Sequence, residues 1–314
     1  MEFRNLGKSG LRVSTVGLGC NNFGGRLELE QTRKVVHAAL DAGITLFDTA
    51  DRYGNFGGSE TQLGQVLGAR RKDIVLATKF GGAMSADGPR KGASRQWIMQ
   101  AVEDSLRRLQ TDWIDLYQLH FPDANTPIDE TLRALDDLVS AGKVRYIGCS
   151  NLRPWEMVEA SFTADILKTG AFVSAQEEYS ILRREIERDL LPVARRYGYG
   201  LLPYYPLANG LLTGKYTRNT MPEGARLTVN PAYGDHAYIN DANWDRVEKL
   251  TAFCQERGRS LLELAFCWLL AEPLTASVIA GATRPEQIEA NVAAAGWVLT
   301  ADDLAAVRAI VEQG

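Results

Sequence analysis

The sequence is poor in the residues that metal centres and disulfide frameworks need. It has three histidines, His37, His120 and His236, and four cysteines, Cys20, Cys149, Cys254 and Cys267, with no CxxC pair and no His or Cys pair at ligand spacing. No dedicated transition-metal site is therefore expected. Four scattered thiols read as reduced cysteines of a cytoplasmic protein rather than as a cross-linked scaffold. Clustered positive charge is also missing: the net charge is −4 and the longest basic run is Arg70-Arg71-Lys72, so nothing resembles a nucleic-acid footprint. No apolar run approaches a membrane span. Residues 1–10 carry Glu2, Arg4 and Lys8 instead of the apolar stretch of a secretory leader. No low-complexity segment or Pro/Ser linker divides the chain, which leads us to expect one domain over residues 1–314.

What recurs is a short apolar run followed by an amphipathic helical stretch. The runs cover residues 13–18, 45–47, 74–78, 114–119, 144–149, 172–175, 200–203 and 276–280. Such runs read as buried parallel strands. Between them, Trp97, Ala101, Ser105 and Leu109 form one stripe at helical spacing, and Ile128, Leu132, Leu135 and Val139 form another. Gly43 and Gly142 stand where helices would end. Eight alternations predict an α/β fold, a closed (β/α)8 TIM barrel. Two regions break the pattern. The turn-rich Leu6-Gly7-Lys8-Ser9-Gly10-Leu11 predicts an N-terminal β-hairpin. Residues 214–242, after the seventh strand, predict a long loop insertion holding Tyr216, Tyr233, His236 and Tyr238.

Chemistry in such a barrel sits at the carboxyl ends of the strands. The polar residues ending successive runs are Asp48, Lys79, His120, Ser150 with Asn151, Gln176 and Tyr204, and Tyr53 follows Asp48 by five positions. Each alone has a bland reading: a solvated lysine, a hydrogen-bonded histidine, a packed tyrosine, a turn-capping aspartate. Together they make a proton-donating site. A tyrosine titrates near 10, too high for efficient acid–base work at neutrality, and a neighbouring ammonium pulls that value down. Asp48 would balance Lys79, and His120 would orient a carbonyl oxygen.

Read in order, these segments resemble the aldo-keto reductase family over essentially the whole chain. The matching pieces are Gly17-Leu18-Gly19; Phe47-Asp48-Thr49-Ala50 running into Tyr53-Gly54, Ser59-Glu60 and Leu63-Gly64; Thr78-Lys79; Asp115-Leu116-Tyr117-Gln118-Leu119-His120; Gly148-Cys149-Ser150-Asn151-Leu152; Pro206-Leu207 with the stretch from Gly210 to Tyr216; and Gly281-Ala282-Thr283 with Gln287 and Asn291. The resemblance implies a catalytic tetrad of Asp48, Tyr53, Lys79 and His120. Tyr53 would protonate the developing alkoxide while a nicotinamide delivers hydride to the carbonyl carbon of a small aldehyde or ketone. His120 separates the chain from the family's steroid double-bond reductases, which carry Glu there.

A Rossmann fingerprint is absent, because Gly17-Leu18-Gly19-Cys20-Asn21-Asn22 lacks the last glycine of GxGxxG. The resemblance implies that NADP(H) lies along the barrel mouth. Ser150, Asn151 and Gln176 would meet the carboxamide and Tyr204 would stack on the ring. Tyr205, Pro206, Leu207, Asn209, Leu211 and Lys215 would follow the pyrophosphate, and Gly281, Thr283, Arg284, Gln287 and Asn291 the adenosine end. Arg284, opening a helix ahead of Pro285 and Glu286, is a ready partner for a 2′-phosphate and selects NADP over NAD; Arg226 is a second candidate. The chain departs from the family in having Tyr205 where many members have Ser, and in the longer Asn55-Phe56-Gly57-Gly58. Phe23, Phe80, Phe121 and Tyr233 are expected pocket walls. Two other readings compete: an NADP-binding regulatory subunit with little turnover, and Schiff-base chemistry at Lys79.

Overall fold

The computed structural model describes residues 1–85, 90–229 and 238–312; Tyr233, His236 and the side chain of Arg226 lie outside what it describes. The chain opens with an antiparallel hairpin, β1 (Phe3–Asn5) and β2 (Arg12–Ser14). Eight parallel strands follow: β3 (Val16–Gly19), β4 (Leu46–Asp48), β5 (Val75–Phe80), β6 (Ile114–Leu119), β7 (Val144–Ser150), β8 (Ser174–Glu178), β9 (Gly200–Tyr204) and β10 (Val278–Gly281). They form one sheet in the order β10-β3-β4-β5-β6-β7-β8-β9. The ring is completed near its lower end, where Leu201 donates to the Leu274 carbonyl at 2.7 Å and Ala276 donates back to the Leu201 carbonyl at 2.9 Å. This is the expected (β/α)8 barrel with its N-terminal hairpin.

Two sequence expectations shift in detail. The run 13–18 is two strands, because the chain passes from the hairpin into the barrel at Thr15, whose amide bonds to the Glu2 carbonyl at 3.0 Å. The run 172–175 begins two residues early and ends three residues short of β8.

Each strand delivers its polar end to one rim because a helix returns the chain to the other. These are α1 (Leu29–Asp41), α2 (Tyr53–Leu67), α3 (Arg95–Leu109), α4 (Ile128–Ser140), α5 (Pro154–Leu167) and α6 (Ile186–Tyr197). The apolar stripe of α3 is buried through Ile98, Ala101, Val102, Leu106 and Leu109, and Ser94 caps its first turn by accepting from the Trp97 amide. Gly43 and Gly142 adopt φ of 81° and 73°, as chain reversals after helices require.

Between β9 and β10 the chain inserts a 3-10 turn (Ala208–Thr213), a short helix α7 (Arg226–Val229), and α8 (Asp241–Gln255) and α9 (Leu261–Leu270); α10 (Pro285–Ala294) and α11 (Ala301–Glu312) follow. Among the described residues no helix is long and apolar enough to cross a membrane.

The barrel interior below the rim is filled by Leu46, Ala77, Leu116, Leu202, Ala276 and Ile279, and the hairpin closes the bottom with Leu6 and Val13. Burying one such leucine contributes about 1.5–3 kcal/mol. The hairpin docks tightly because Gly7 (φ 59°) has no side chain; a Cβ there would stand 2.4 Å from the Gly198 carbonyl oxygen.

Candidate active site

The tetrad expected from sequence converges on the carboxyl rim. Asp48 is the last residue of β4, Lys79 lies in β5, His120 follows β6, and Tyr53 opens α2. Lys79 is completely buried. Its Nζ donates to Asp48 Oδ2 at 2.6 Å and to the Thr49 carbonyl at 2.9 Å, and it lies 5.1 Å from the centroid of the half-buried Tyr53 ring. Burial alone would strip the proton from this amine. The Asp48 charge, with the hydrogen bonds to Asp48 and Tyr53, reverses that and holds Lys79 above its ordinary pKa, as a fixed ammonium.

The sequence argument expected Lys79 to pull Tyr53 downward. It does, but burial is the larger effect and the Asp48 charge adds to it, so the phenol sits above its usual value and stays protonated at neutral pH. His120 goes the other way: burial first, then the charges of Lys79 and Arg52, lower its pKa to about 2. The imidazole is neutral, stands edge-on to Tyr53 with centroids 5.7 Å apart, and stacks on Phe121 at 4.3 Å.

Local structure explains why the loop carrying Tyr53 is held. Ser59 Oγ donates to the Cys20 carbonyl at 2.8 Å and pairs with Thr49 Oγ1 at 2.8 Å. Glu60, fully buried, receives Arg108 Nε at 2.7 Å as well as the Thr78 hydroxyl. Gly64 permits α2 to approach α3, since a Cβ there would meet the Arg108 carbonyl oxygen at 2.4 Å. The longer Asn55-Phe56-Gly57-Gly58 segment is a left-handed turn at the start of α2, with φ of 59° and 65° at Asn55 and Phe56.

Sequence reasoning missed Gln118. Its Nε2 donates to Asp48 Oδ1 at 3.2 Å, beside Gln176 Nε2 at 2.8 Å. The signal was available: Gln118 stands two positions before His120 and so points to the same barrel face. Gln176, assigned by resemblance to the nicotinamide carboxamide, thus also has its amide nitrogen on the tetrad.

The remaining nicotinamide candidates adjoin it. Asn151 (φ 60°) donates to the His120 carbonyl and to Ser150 Oγ, each at 3.0 Å, and accepts from the Tyr204 hydroxyl at 2.8 Å. Tyr205 (φ 50°) packs edge-on to Tyr204. Pro206, Asn209 and Leu211 are buried beneath the following turn, and Leu207 is half-buried.

At the far end, the Thr283 amide and hydroxyl donate to Gln287 Oε1 at 2.7 and 3.1 Å, Asn291 is buried, and Gly281 ends β10. Arg284 caps the start of α10, exposed and only loosely paired with Glu286 at 3.9 Å. Burial lowers the Lys215 pKa, and the charges of Arg284 and Arg26 lower it further. Three cations that repel one another at a rim fit phosphate groups. Arg26, whose Nη2 reaches the Gly224 carbonyl at 3.4 Å, is the member that the sequence reading did not find. Of the pocket walls expected from sequence, Phe23 and Phe80 are core residues with no exposure, whereas Phe121 is 37% exposed at the mouth.

The barrel thus gathers a buried ammonium–carboxylate pair, a protonated tyrosine and a neutral histidine at one rim, so that proton donors stand beside a fixed cation. The chain belongs to the aldo/keto reductase family, whose model matches residues 15–312. It is 37% identical to a probable voltage-gated potassium channel subunit beta of Arabidopsis thaliana (94% of this chain, 91% of that protein). It is 36% identical to the L-glyceraldehyde 3-phosphate reductase of Escherichia coli strain K12 (94% and 87%), and 38% identical to an uncharacterised oxidoreductase, YrpG, of Bacillus subtilis (94% and 91%). Family and relatives together support an oxidoreductase.

Proposed function

We propose that the protein is an NADP(H)-dependent reductase that converts small aldehydes or ketones to alcohols, with Tyr53 as the proton donor. The observation that carries this reading is the buried Lys79–Asp48 pair beside Tyr53, with His120 kept neutral. The nicotinamide, when bound, supplies hydride to the carbonyl carbon. Everything else is work for the chain. The Tyr53 hydroxyl gives its proton to the carbonyl oxygen as negative charge builds there. Lys79, anchored by Asp48 and the Thr49 carbonyl, stabilises the phenolate that remains. A neutral imidazole at His120 can donate a hydrogen bond to the same oxygen without adding a second cation beside Lys79. Ser150, Asn151 and Gln176 would orient the carboxamide and Tyr204 would face the ring. Lys215, with the turn from Tyr205 to Leu211, would lie along the pyrophosphate. Arg284 would take the 2′-phosphate, with Thr283, Gln287 and Asn291 around the adenosine.

NADPH consumption over a panel of aldehydes and ketones, run beside Tyr53→Phe, tests the reading. Turnover is expected to fall by about a hundredfold to ten-thousandfold in the variant, as loss of a general acid does, while NADPH still binds. The relatives named as potassium channel subunits favour a second reading, a cofactor-binding regulatory subunit. Tight NADPH binding by both proteins, with no carbonyl reduced by either, selects it.

A further inference from the structure

Arg52 immediately precedes Tyr53, yet proton transfer makes no use of it: the cation facing the Tyr53 ring is Lys79. Its placement is nonetheless specific. The stem crosses the backbone of Gly82, in the segment after β5, so closely that a Cβ at Gly82 would stand 2.7 Å from Arg52 Cδ. The guanidinium lies over Phe121, with Cζ 5.7 Å from the ring centroid, and that ring stacks on His120 at 8° between planes. Segments following three successive strands, β4, β5 and β6, therefore fix one exposed cation at the rim. Its charge reaches the site, since it joins Lys79 in lowering the proton affinity of His120.

Among the described residues no carboxylate is paired with Arg52, whereas Arg71, Arg108 and Arg184 are each matched to one. Of the two aspartates nearest in sequence, Asp48 is taken by Lys79. Asp51 is buried, and burial together with the Glu60 charge keeps its carboxyl well above the ordinary carboxylate range. A guanidinium supported on an aromatic face still presents its N–H edge, which suits two-point binding of a carboxylate or phosphate.

We propose that Arg52 is a specificity-determining residue that binds an anionic group, carboxylate or phosphate, carried by the substrate a few bonds from its carbonyl. The natural substrates are then short, negatively charged aldehydes or ketones. This rests on the carbonyl-reductase reading above, and the test keeps the two separable.

Two matched substrate pairs are compared, succinic semialdehyde with butanal and glyceraldehyde phosphate with glyceraldehyde, in the wild type, Arg52→Gln and Arg52→Lys. In the wild type kcat/KM for the charged member of at least one pair should exceed that of its neutral partner by about tenfold or more, the value of one charge-assisted hydrogen-bonded contact. The ratio should approach one in Arg52→Gln, chiefly through KM, and be partly kept in Arg52→Lys. Which pair shows the effect separates carboxylate from phosphate recognition. A wild-type ratio near one for both pairs, or a ratio that survives Arg52→Gln, overturns the inference. If no carbonyl is reduced at all, the reductase reading fails, but calorimetric titration of the NADPH-loaded protein with succinate and with inorganic phosphate still decides the role of Arg52. Binding lost in Arg52→Gln upholds it; binding equal in both proteins, or absent from both, removes it.

Discussion

Asp48 is held on every side: Lys79 on one carboxylate oxygen, Gln118 and Gln176 on the other. The four tetrad residues were legible in the sequence because each ends or follows an apolar run, and apolar runs betray strands. Gln118 was not, because a glutamine inside a run looks like an interruption until strand alternation is counted from His120. The pair itself makes a prediction. Asp48→Asn leaves a fully buried ammonium without its counter-charge, and breaking such a pair costs about 3–5 kcal/mol; denaturant unfolding of the variant checks it, and an unchanged midpoint would show that the pair is not what keeps Lys79 charged. His120 makes another. Its folded pKa of about 2 lies below the ordinary 6.5, so the unfolded chain binds the extra proton in that window. The stability this residue contributes is complete above pH 6.5 and is lost as pH falls toward 2, by up to about 1.4 kcal/mol per pH unit. His120→Asn should flatten the acid side of the stability profile by that slope, and a profile of unchanged slope would mean that the imidazole is protonated in the fold.

At the scale of elements, the helices and most strands were readable from periodicity, and the short end of the run 172–175 has a physical cause. β8 continues through Gln176, Glu177 and Glu178, residues that hydropathy assigns to a loop. Gln176 reaches Asp48 and Glu178 receives the Tyr238 hydroxyl, so the apolar signal of a strand fades where its rim end makes polar contacts. Glu177 shows the cost. Gln176 reaches inward to Asp48, and Glu177, next along the strand, takes the opposite face, where it is buried with Oε1 lacking a hydrogen-bond partner among the described residues. Burial pushes its pKa from 4.5 to about 8. Here the folded state binds the extra proton, so this residue's contribution is complete below pH 4.5 and is lost as pH rises through 8, the opposite sense to His120. Glu177→Gln should therefore remove a decline in stability between about pH 5 and 8. If wild type and variant run parallel over that range, the carboxyl is already ionised in the folded protein.

For the whole molecule, eight alternations were enough to announce a barrel, but they said nothing about where the ring is weakest. The seam between β9 and β10 is bonded at Leu201, low in the barrel, while its upper ends, Tyr204 and Gly281, carry residues assigned to the proposed cofactor. Those residues come from both sides of the seam: Tyr204 and Lys215 from one, Thr283 and Arg284 from the other. A dinucleotide gripped by both sides bridges the one join that the sheet hardly makes for itself, so binding should raise the unfolding temperature of the whole protein and not merely order a loop. At a hundredfold excess over Kd the gain is about 2.7 kcal/mol. If the exposed Arg284, with Lys215 and Arg26 nearby, takes a 2′-phosphate as proposed, NADPH at equal concentration should raise the unfolding temperature further than NADH. Arg284→Ala should lower the NADPH shift to the NADH value and leave the NADH shift in place. If instead both shifts fall together, the arginine supports the pyrophosphate in either cofactor, and the preference for NADP has to come from another side chain, with Arg26 the first to test.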